Sequence, residues 1–200
     1  MSLYLASQSP RRRELLNGLG VEFSILPIEI DESMQSLESA ADYVGRLARE
    51  KAAAGLAVVA GRGESGALVL GSDTAVVVDR DILGKPRDRE DFLDMMERLS
   101  GRAHDVMTSI ALASHDQVDV EVVTSRVVFA ELMPEQARAY WDTQEPCDKA
   151  GGYAVQGLAS VFIKRIEGSY SAIVGLPLRE TAQLLTRRGV VVWDGALVSV

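Results

Sequence analysis

Residues 68–83 run Leu68-Val69-Leu70-Gly71-Ser72-Asp73-Thr74-Ala75-Val76-Val77-Val78-Asp79-Arg80-Asp81-Ile82-Leu83. The β-branched, apolar composition of Leu68–Val78 reads as a central strand, interrupted at Ser72-Asp73-Thr74. Asp79-Arg80-Asp81 then turns the chain into an antiparallel partner around Ile82-Leu83. Upstream, Leu3–Ala6 reads as a short buried strand. Ser9 as N-cap and Pro10 at the first helical position open a helix that Gly20 stops. Val21–Leu26 reads as a second strand, residues 29–33 as a polar loop, and Ser39–Val58 as a helix with Val44, Leu47 and Ala48 on one face. Downstream come an amphipathic helix on Phe92, Met95, Met96 and Leu99, closed by Gly101, and a hairpin of Val106–Leu112 with Val118–Leu132 about a 114–117 turn. A short helix from Pro134 to Trp141 follows, then strands at Tyr153–Val155 and Val161–Ile166, a last helix from Pro177, and an edge strand at Val190–Trp193. Strands and helices alternate early and hairpins dominate late. The expectation is therefore an α/β fold, a mixed parallel and antiparallel sheet with helices packed on it, forming one α/β domain over residues 1–200 or two lobes around a cleft.

Composition narrows the function classes. The chain has 200 residues, 47% hydrophobic and 25% charged, which excludes disorder and collagen-like structure. Its 21 Lys and Arg against 29 Asp and Glu give a formal charge of −8, a field that repels nucleic-acid polymers and anionic membranes while leaving room for one nucleotide in a local basic pocket. The single cysteine, Cys147, excludes an intrachain disulfide, and no Cys/His zinc spacing occurs. The N-terminal residues lack a signal-peptide pattern, and no apolar run approaches the ~18 residues that cross a bilayer. A cytoplasmic protein is expected.

Several stretches carry candidate chemistry. Ser7-Gln8-Ser9-Pro10-Arg11-Arg12-Arg13 joins a strand to a helix start, where backbone amides and two hydroxyls suit an anion. Three arginines there oppose the helix dipole, which makes sense if a phosphate neutralises both; the plain alternative is solvated surface arginines. Lys51 shares the apolar stripe of Val44, Leu47 and Ala48, so it needs a partner or ligand unless it snorkels to the rim. Asp73 sits inside an apolar strand, as a metal ligand, a base for water, or the cap of a bulge. Lys85 lies in Gly84-Lys85-Pro86, by itself a turn, and Glu32 lies on a loop that by itself is solvated. In residues 148–157, Gly151-Gly152 permit close approach of a ligand or backbone, and the Gln156 amide is suited to reading a nucleobase edge. Gly61-Arg62-Gly63-Glu64-Ser65-Gly66 spells GxGxxG, yet a strand-like segment follows it, so the dinucleotide reading fails. His104, His115 and Cys147 lack the neighbours catalysis requires.

Together, Ser7-x-Ser9-Pro10-Arg11-Arg12-x-Glu14-Leu15-Leu16, Glu50-Lys51-Ala52, Gly71-Ser72-Asp73-Thr74, Gly84-Lys85-Pro86, Lys149-Ala150-Gly151-Gly152-Tyr153 and Val174-Gly175-Leu176-Pro177 resemble the Maf nucleoside triphosphate pyrophosphatases, in order and from residue 3 to about 185. The KAGxYxxQG form resembles the branch that hydrolyses dTTP and UTP. The resemblance implies a hydrolase of the α–β phosphoanhydride, releasing nucleoside monophosphate and pyrophosphate in nucleotide-pool housecleaning. It implies Asp73 as proton acceptor, Arg11, Thr74 and Gln156 in base specificity, a divalent metal (Mg²⁺ or Mn²⁺), and an inosine-triphosphatase-like architecture, an elongated mixed parallel and antiparallel sheet with flanking helices in two lobes around a cleft. Beside it, the residue types assign Ser7, Arg11, Arg12, Lys51 and Lys85 to the phosphates, and Glu32 and Asp73 to metal and water. The expected partner is a nucleoside triphosphate, with modified pyrimidine nucleotides and a homodimer left open. The competing expectation is a nucleotide-binding regulator of septum formation without turnover. Gly152 and Ser72 depart from commoner residues at their positions without removing a chemical group.

Overall fold

The computed structural model describes residues 2–193, and the apolar tail from residue 194 onward lies outside them. The described residues form seven strands: β1 (Leu3–Ala6), β2 (Ser24–Ile25), β3 (Leu68–Val78), β4 (Asp81–Leu83), β5 (Ala103–Ala113), β6 (Val118–Phe129) and β7 (Ile163–Glu167). Six helices accompany them: α1 (Pro10–Asn17), α2 (Ala40–Gly61), α3 (Arg89–Leu99), α4 (Pro134–Asp142), α5 (Tyr170–Val174) and α6 (Leu178–Arg187). One mixed sheet runs in the order β2-β1-β3-β5-β6-β7, with β4 on β3. β1 is parallel to both β2 and β3, whereas the β3–β4 and β6–β7 pairs are antiparallel.

The chain divides into two compact units, the first made of residues up to Asp73, Thr108–Val123 and Gly175 onward, the second of Thr74–Met107 and Thr124–Val174. In the first, β1 and β3 pair Leu3 with Leu68 and Leu5 with Leu70, and these leucines share one core with Leu16 of α1, Leu19 just after it, and Leu184 and Leu185 of α6. The alternate residues Tyr4, Ala6 and Val69 form a second core with Val59 of α2. Helices cover both faces here, so β1 and residues 68–70 of β3 are apolar at every position. The second unit is built around aromatic rings: Phe129 stacks edge-on to Tyr153 at 4.9 Å, and Phe92 lies 5.1 Å from Trp141.

Four expectations are corrected. β3 is continuous through Ser72-Asp73-Thr74. The second strand shrinks to Ser24–Ile25, because Val21 and Leu26 are apolar through burial in the cores rather than through ladder pairing. Tyr153–Val155 is not a strand: Tyr153 is extended, yet it follows two glycines in the left-handed region, and the Ala154 amide donates to the Tyr140 hydroxyl instead of a neighbouring strand. Val190–Trp193 is not a strand either, since the Val190 amide returns to Leu185 O beyond Gly189 (φ +78°) and so ends α6. Helix α5 was not expected.

Candidate active site

The site in the first unit begins with a close helix–strand approach. α2 starts at Ser39, whose hydroxyl accepts from the Asp42 amide at 3.2 Å. Its strand-facing side carries Ala48, Ala52 and Gly55, and β3 meets it with Gly71, where a Cβ would overlap the Ala48 carbonyl oxygen and stand 2.8 Å from Ala52 N. A glycine facing this row of small residues sets α2 onto the strand. Lys51 therefore does not snorkel. It is 8% exposed, and Nζ ends 2.8 Å from Asp73 Oδ1 and 2.6 Å from Glu32 Oε1. The acid inside the apolar strand and the lysine on the apolar helix face, each costly alone, satisfy one another.

Glu32 lies on an irregular loop that α2 holds down. Tyr43 Oη donates to Glu32 O at 2.9 Å, and Arg46 Nη2 to Ser33 O at 3.0 Å. Arg46 also grips Glu38 through Nε and Nη2 at 2.7 and 2.8 Å and approaches Glu50, which holds its pKa above the ordinary value. Burial pushes the Tyr43 phenol up to about 12, with the negative charges of Asp73 and Glu32 adding to it. Ahead of Glu32, Asp31 accepts the Ser33 amide at 2.9 Å, which lowers its pKa. Tyr43 and Arg46 were missed by sequence reading. Their signal was present: positions 43, 46 and 50 follow i, i+3, i+7 spacing on one helix face.

α1 supplies the second cation. The Ser7 hydroxyl accepts from the Ser9 amide at 3.1 Å and the Ser9 hydroxyl from the Arg12 amide at 3.4 Å, while the Arg13 amide returns to Ser9 O. The helix start is thus largely satisfied from within, and its capacity for an anion rests on the Arg11 amide and on side chains. Arg12 Nε donates to Gly175 O at 2.9 Å, and the Ser72 hydroxyl donates to the same carbonyl at 3.0 Å. Gly175 aims that carbonyl with φ +129°, a conformation few other residues adopt. Burial lowers the Arg12 pKa and Arg11 adds to this, while Asp73 and Glu32 oppose it. The structure therefore gathers Arg12, Glu32, Lys51 and Asp73 in one cluster, with Arg11 adjoining.

The remaining candidates belong to the second unit. Thr74 follows Asp73 along β3 and is partly buried. Lys85 is exposed on a turn beside the buried Pro86, and Gly84 O of that turn accepts the Gly151 amide at 2.9 Å. Gly151 and Gly152 both have positive φ, +66° and +69°. A Cβ on Gly151 would overlap Val76 at 2.8 Å, and one on Gly152 would overlap Phe92 at 2.8 Å. These glycines permit close approach of backbone to core side chains, so the sequence motif has a packing role at this point. Gln156 is exposed four residues on.

Two carboxylates meet at one lysine here, with arginine beside them. Hard oxygen donors suit Mg²⁺ or Mn²⁺, which takes one or two carboxylates and fills its remaining positions from phosphate and water. Among the described residues, no group of three or more His, Cys, Asp or Glu closes a metal site from protein alone, so a phosphate oxygen would complete the set. The chain belongs to the Maf-like proteins, whose family model matches residues 2–188. It is 54% identical to a dTTP/UTP pyrophosphatase of Hahella chejuensis over 96% of this chain and 94% of that one, and 52% identical to a dTTP/UTP pyrophosphatase of Colwellia psychrerythraea over 94% and 89%. A solved structure, the Staphylococcus aureus Ham1 protein, matches with a TM-score of 0.44 at 12% identity, covering 66% of this chain and 73% of that one, too shallow a likeness to bear on the site. Among the described residues, no helix is long and apolar enough to cross a membrane.

Proposed function

We propose that the chain is a nucleoside triphosphate diphosphatase that hydrolyses the α–β phosphoanhydride of dTTP and UTP, the whole chain forming one such domain. The observation that carries this reading is the buried Lys51 held between Asp73 and Glu32, with Arg12 alongside. The relatives above, named for that activity at over 50% identity, supply the substrate class. Arg11, Arg12, Lys51 and Lys85 offset the charge of the triphosphate, with Ser7 at the base of the helix start. A water oxygen attacks phosphorus, the bridging P–O bond between the α and β phosphates breaks, and pyrophosphate leaves with the bonding pair. Asp73 accepts the proton that the water loses. Glu32 and Asp73 would hold Mg²⁺ or Mn²⁺, which supplies charge neutralisation on phosphate oxygens and lowers the pKa of water. Thr74, Arg11 and Gln156 select the base; the Gln156 amide offers a donor and an acceptor to the O4/N3–H edge of uracil or thymine.

The test is a screen of canonical and modified triphosphates for pyrophosphate release with Mg²⁺, Mn²⁺ and no metal. dTTP and UTP are expected to exceed CTP and the purine triphosphates by at least about tenfold in kcat/KM. Nucleotide binding without pyrophosphate release under every metal condition would instead make the chain a regulator. Gln156→Glu should bring UTP and CTP closer together, because a carboxylate accepts from cytosine N4 and cannot donate to uracil O4. An unchanged UTP/CTP ratio in that variant removes Gln156 from base reading.

A further inference from the structure

Gln156 stands on a segment with no ladder pairing, and a side chain that selects a base must be held in place. The fixing groups come from α4 and the turn after it. Tyr140, whose ring centre lies 5.6 Å from that of Phe162, accepts through Oη from the Ala154 amide at 3.3 Å and donates to Glu145 Oε1 at 2.7 Å. Glu145 Oε2 accepts from the Leu158 amide at 3.1 Å, and Oε1 also receives the Ala159 amide at 3.5 Å. One hydrogen-bonded pair of side chains thus ties down the backbone two residues before Gln156 and two residues after it. Between these anchors the Gly157 amide closes a turn onto Ala154 O at 3.0 Å. Any Cβ at residue 157 would overlap the Glu145 carboxylate, so the absent side chain is what lets the carboxylate lie against the turn.

We infer that Tyr140 and Glu145 are positioning residues for base selection, a clamp that fixes the backbone on either side of Gln156 and so the point from which its amide reaches the base. The inference rests on the reading of Gln156 as a base-selecting residue. A carboxylate suits the role because both of its oxygens accept, so the Tyr140 hydroxyl and the two backbone amides are all met by one group. An amide at 145 would turn an N–H donor toward either the Tyr140 hydroxyl or the Leu158 amide. A clamp of this kind acts on the difference between two bases, whereas a purely structural contact lowers activity on both alike.

The experiment measures kcat and KM for UTP and CTP, with thermal midpoints, on the full chain and on Tyr140→Phe, Glu145→Gln, Glu145→Ala, Gly157→Ala, the Glu145→Ala/Gly157→Ala double variant and Gln156→Ala. Tyr140→Phe and Glu145→Gln should each lower the UTP/CTP ratio of kcat/KM by about threefold or more, the size of losing one or two hydrogen bonds, with the loss in the KM for UTP. Gly157→Ala should lower the ratio as well, and should add nothing further in the Glu145→Ala background, where the carboxylate it displaces is already gone. If Gln156→Ala collapses the ratio while Tyr140→Phe and Glu145→Gln leave it at the wild-type value, the clamp is overturned and these residues only stabilise the fold. If Gln156→Ala itself leaves the ratio intact, the base-reading role fails first, and the clamp falls with it for that separate reason.

Discussion

Asp73→Asn separates chemistry from architecture, because it removes a charge and almost no volume. The Asp73–Lys51 contact at 2.8 Å corresponds to a gross attraction of ~6 kcal/mol at an effective dielectric near 20. Most of that is not lost on substitution. The asparagine oxygen still accepts from the ammonium, the cost of burying a carboxylate disappears, and Lys51 keeps Glu32 at 2.6 Å. The net loss should be about 1–3 kcal/mol, below the 3–5 kcal/mol typical of leaving a buried ion without any partner. For a chain of this length that lowers the thermal midpoint by roughly 2–12 °C and leaves the protein folded at assay temperature. Turnover, measured as pyrophosphate release from dTTP at saturating metal, should fall by about 10²–10⁴-fold, since the group that accepts the proton is gone. Glu32→Gln is the comparison: its side chain is 50% exposed on a loop, so the stability change should stay under about 1 kcal/mol while the metal requirement rises. An Asp73→Asn enzyme retaining more than about a tenth of wild-type turnover would remove Asp73 from the reaction. An unchanged midpoint would show that the Asp73 charge adds no net stability once the cost of burying it is counted.

Tyr43→Phe deletes the hydroxyl that holds the Glu32 carbonyl, so the metal concentration giving half-maximal activity should rise by about 2–10-fold with kcat at saturating metal largely kept; a titration with Mg²⁺ checks this, and an unchanged curve means the loop holds itself. Arg12→Ala should weaken triphosphate binding and slow turnover together while far-UV circular dichroism stays the same, and normal kinetics would reduce Arg12 to a contact with Gly175. Burial lowers the His104 pKa to about 4 from the usual 6.5, so between those values the unfolded chain binds a proton that the folded chain does not. Stability should therefore fall as pH drops from about 6.5 to 4, by up to about 3 kcal/mol for this one group, and His104→Gln should flatten that part of a denaturation profile.

Sequence was most informative where a residue type contradicts its surroundings. Asp73 within a run of Val and Leu, and Lys51 on a stripe with Val44 and Leu47, each demanded a partner, and the structure supplies each with the other. No rule of spacing could have joined positions 22 apart. That pairing depends on Gly71 lying flush against Ala48 and Ala52, a close approach that only the folded packing exhibits. Glu32 was legible only as an acid on a loop for the same reason, because its neighbour Lys51 and its fastening by Tyr43 and Arg46 both come from a helix later in the chain. Errors in the strand assignments share a cause. Tyr153–Val155 and Val190–Trp193 are apolar and extended in composition, yet their backbone amides are taken by a tyrosine hydroxyl and by a helix end, destinations that local pattern does not encode.

The charges of the cluster explain why one set of residues serves both fold and reaction. Arg12 and Lys51 against Glu32 and Asp73 sum to zero, so the unit can hold them together without a ligand, each cation near an acid. A bare triphosphate of about four negative charges would gain from the two cations and lose to the two carboxylates in the same small volume. A divalent cation reverses the second term, because the carboxylates then attract what the nucleotide carries with it. On the proposed reading, the same pair of acids that stabilises Lys51 in the resting protein would make productive binding depend on metal. This is also why Asp73→Asn should bind metal-free nucleotide no worse than the wild type while failing to turn it over.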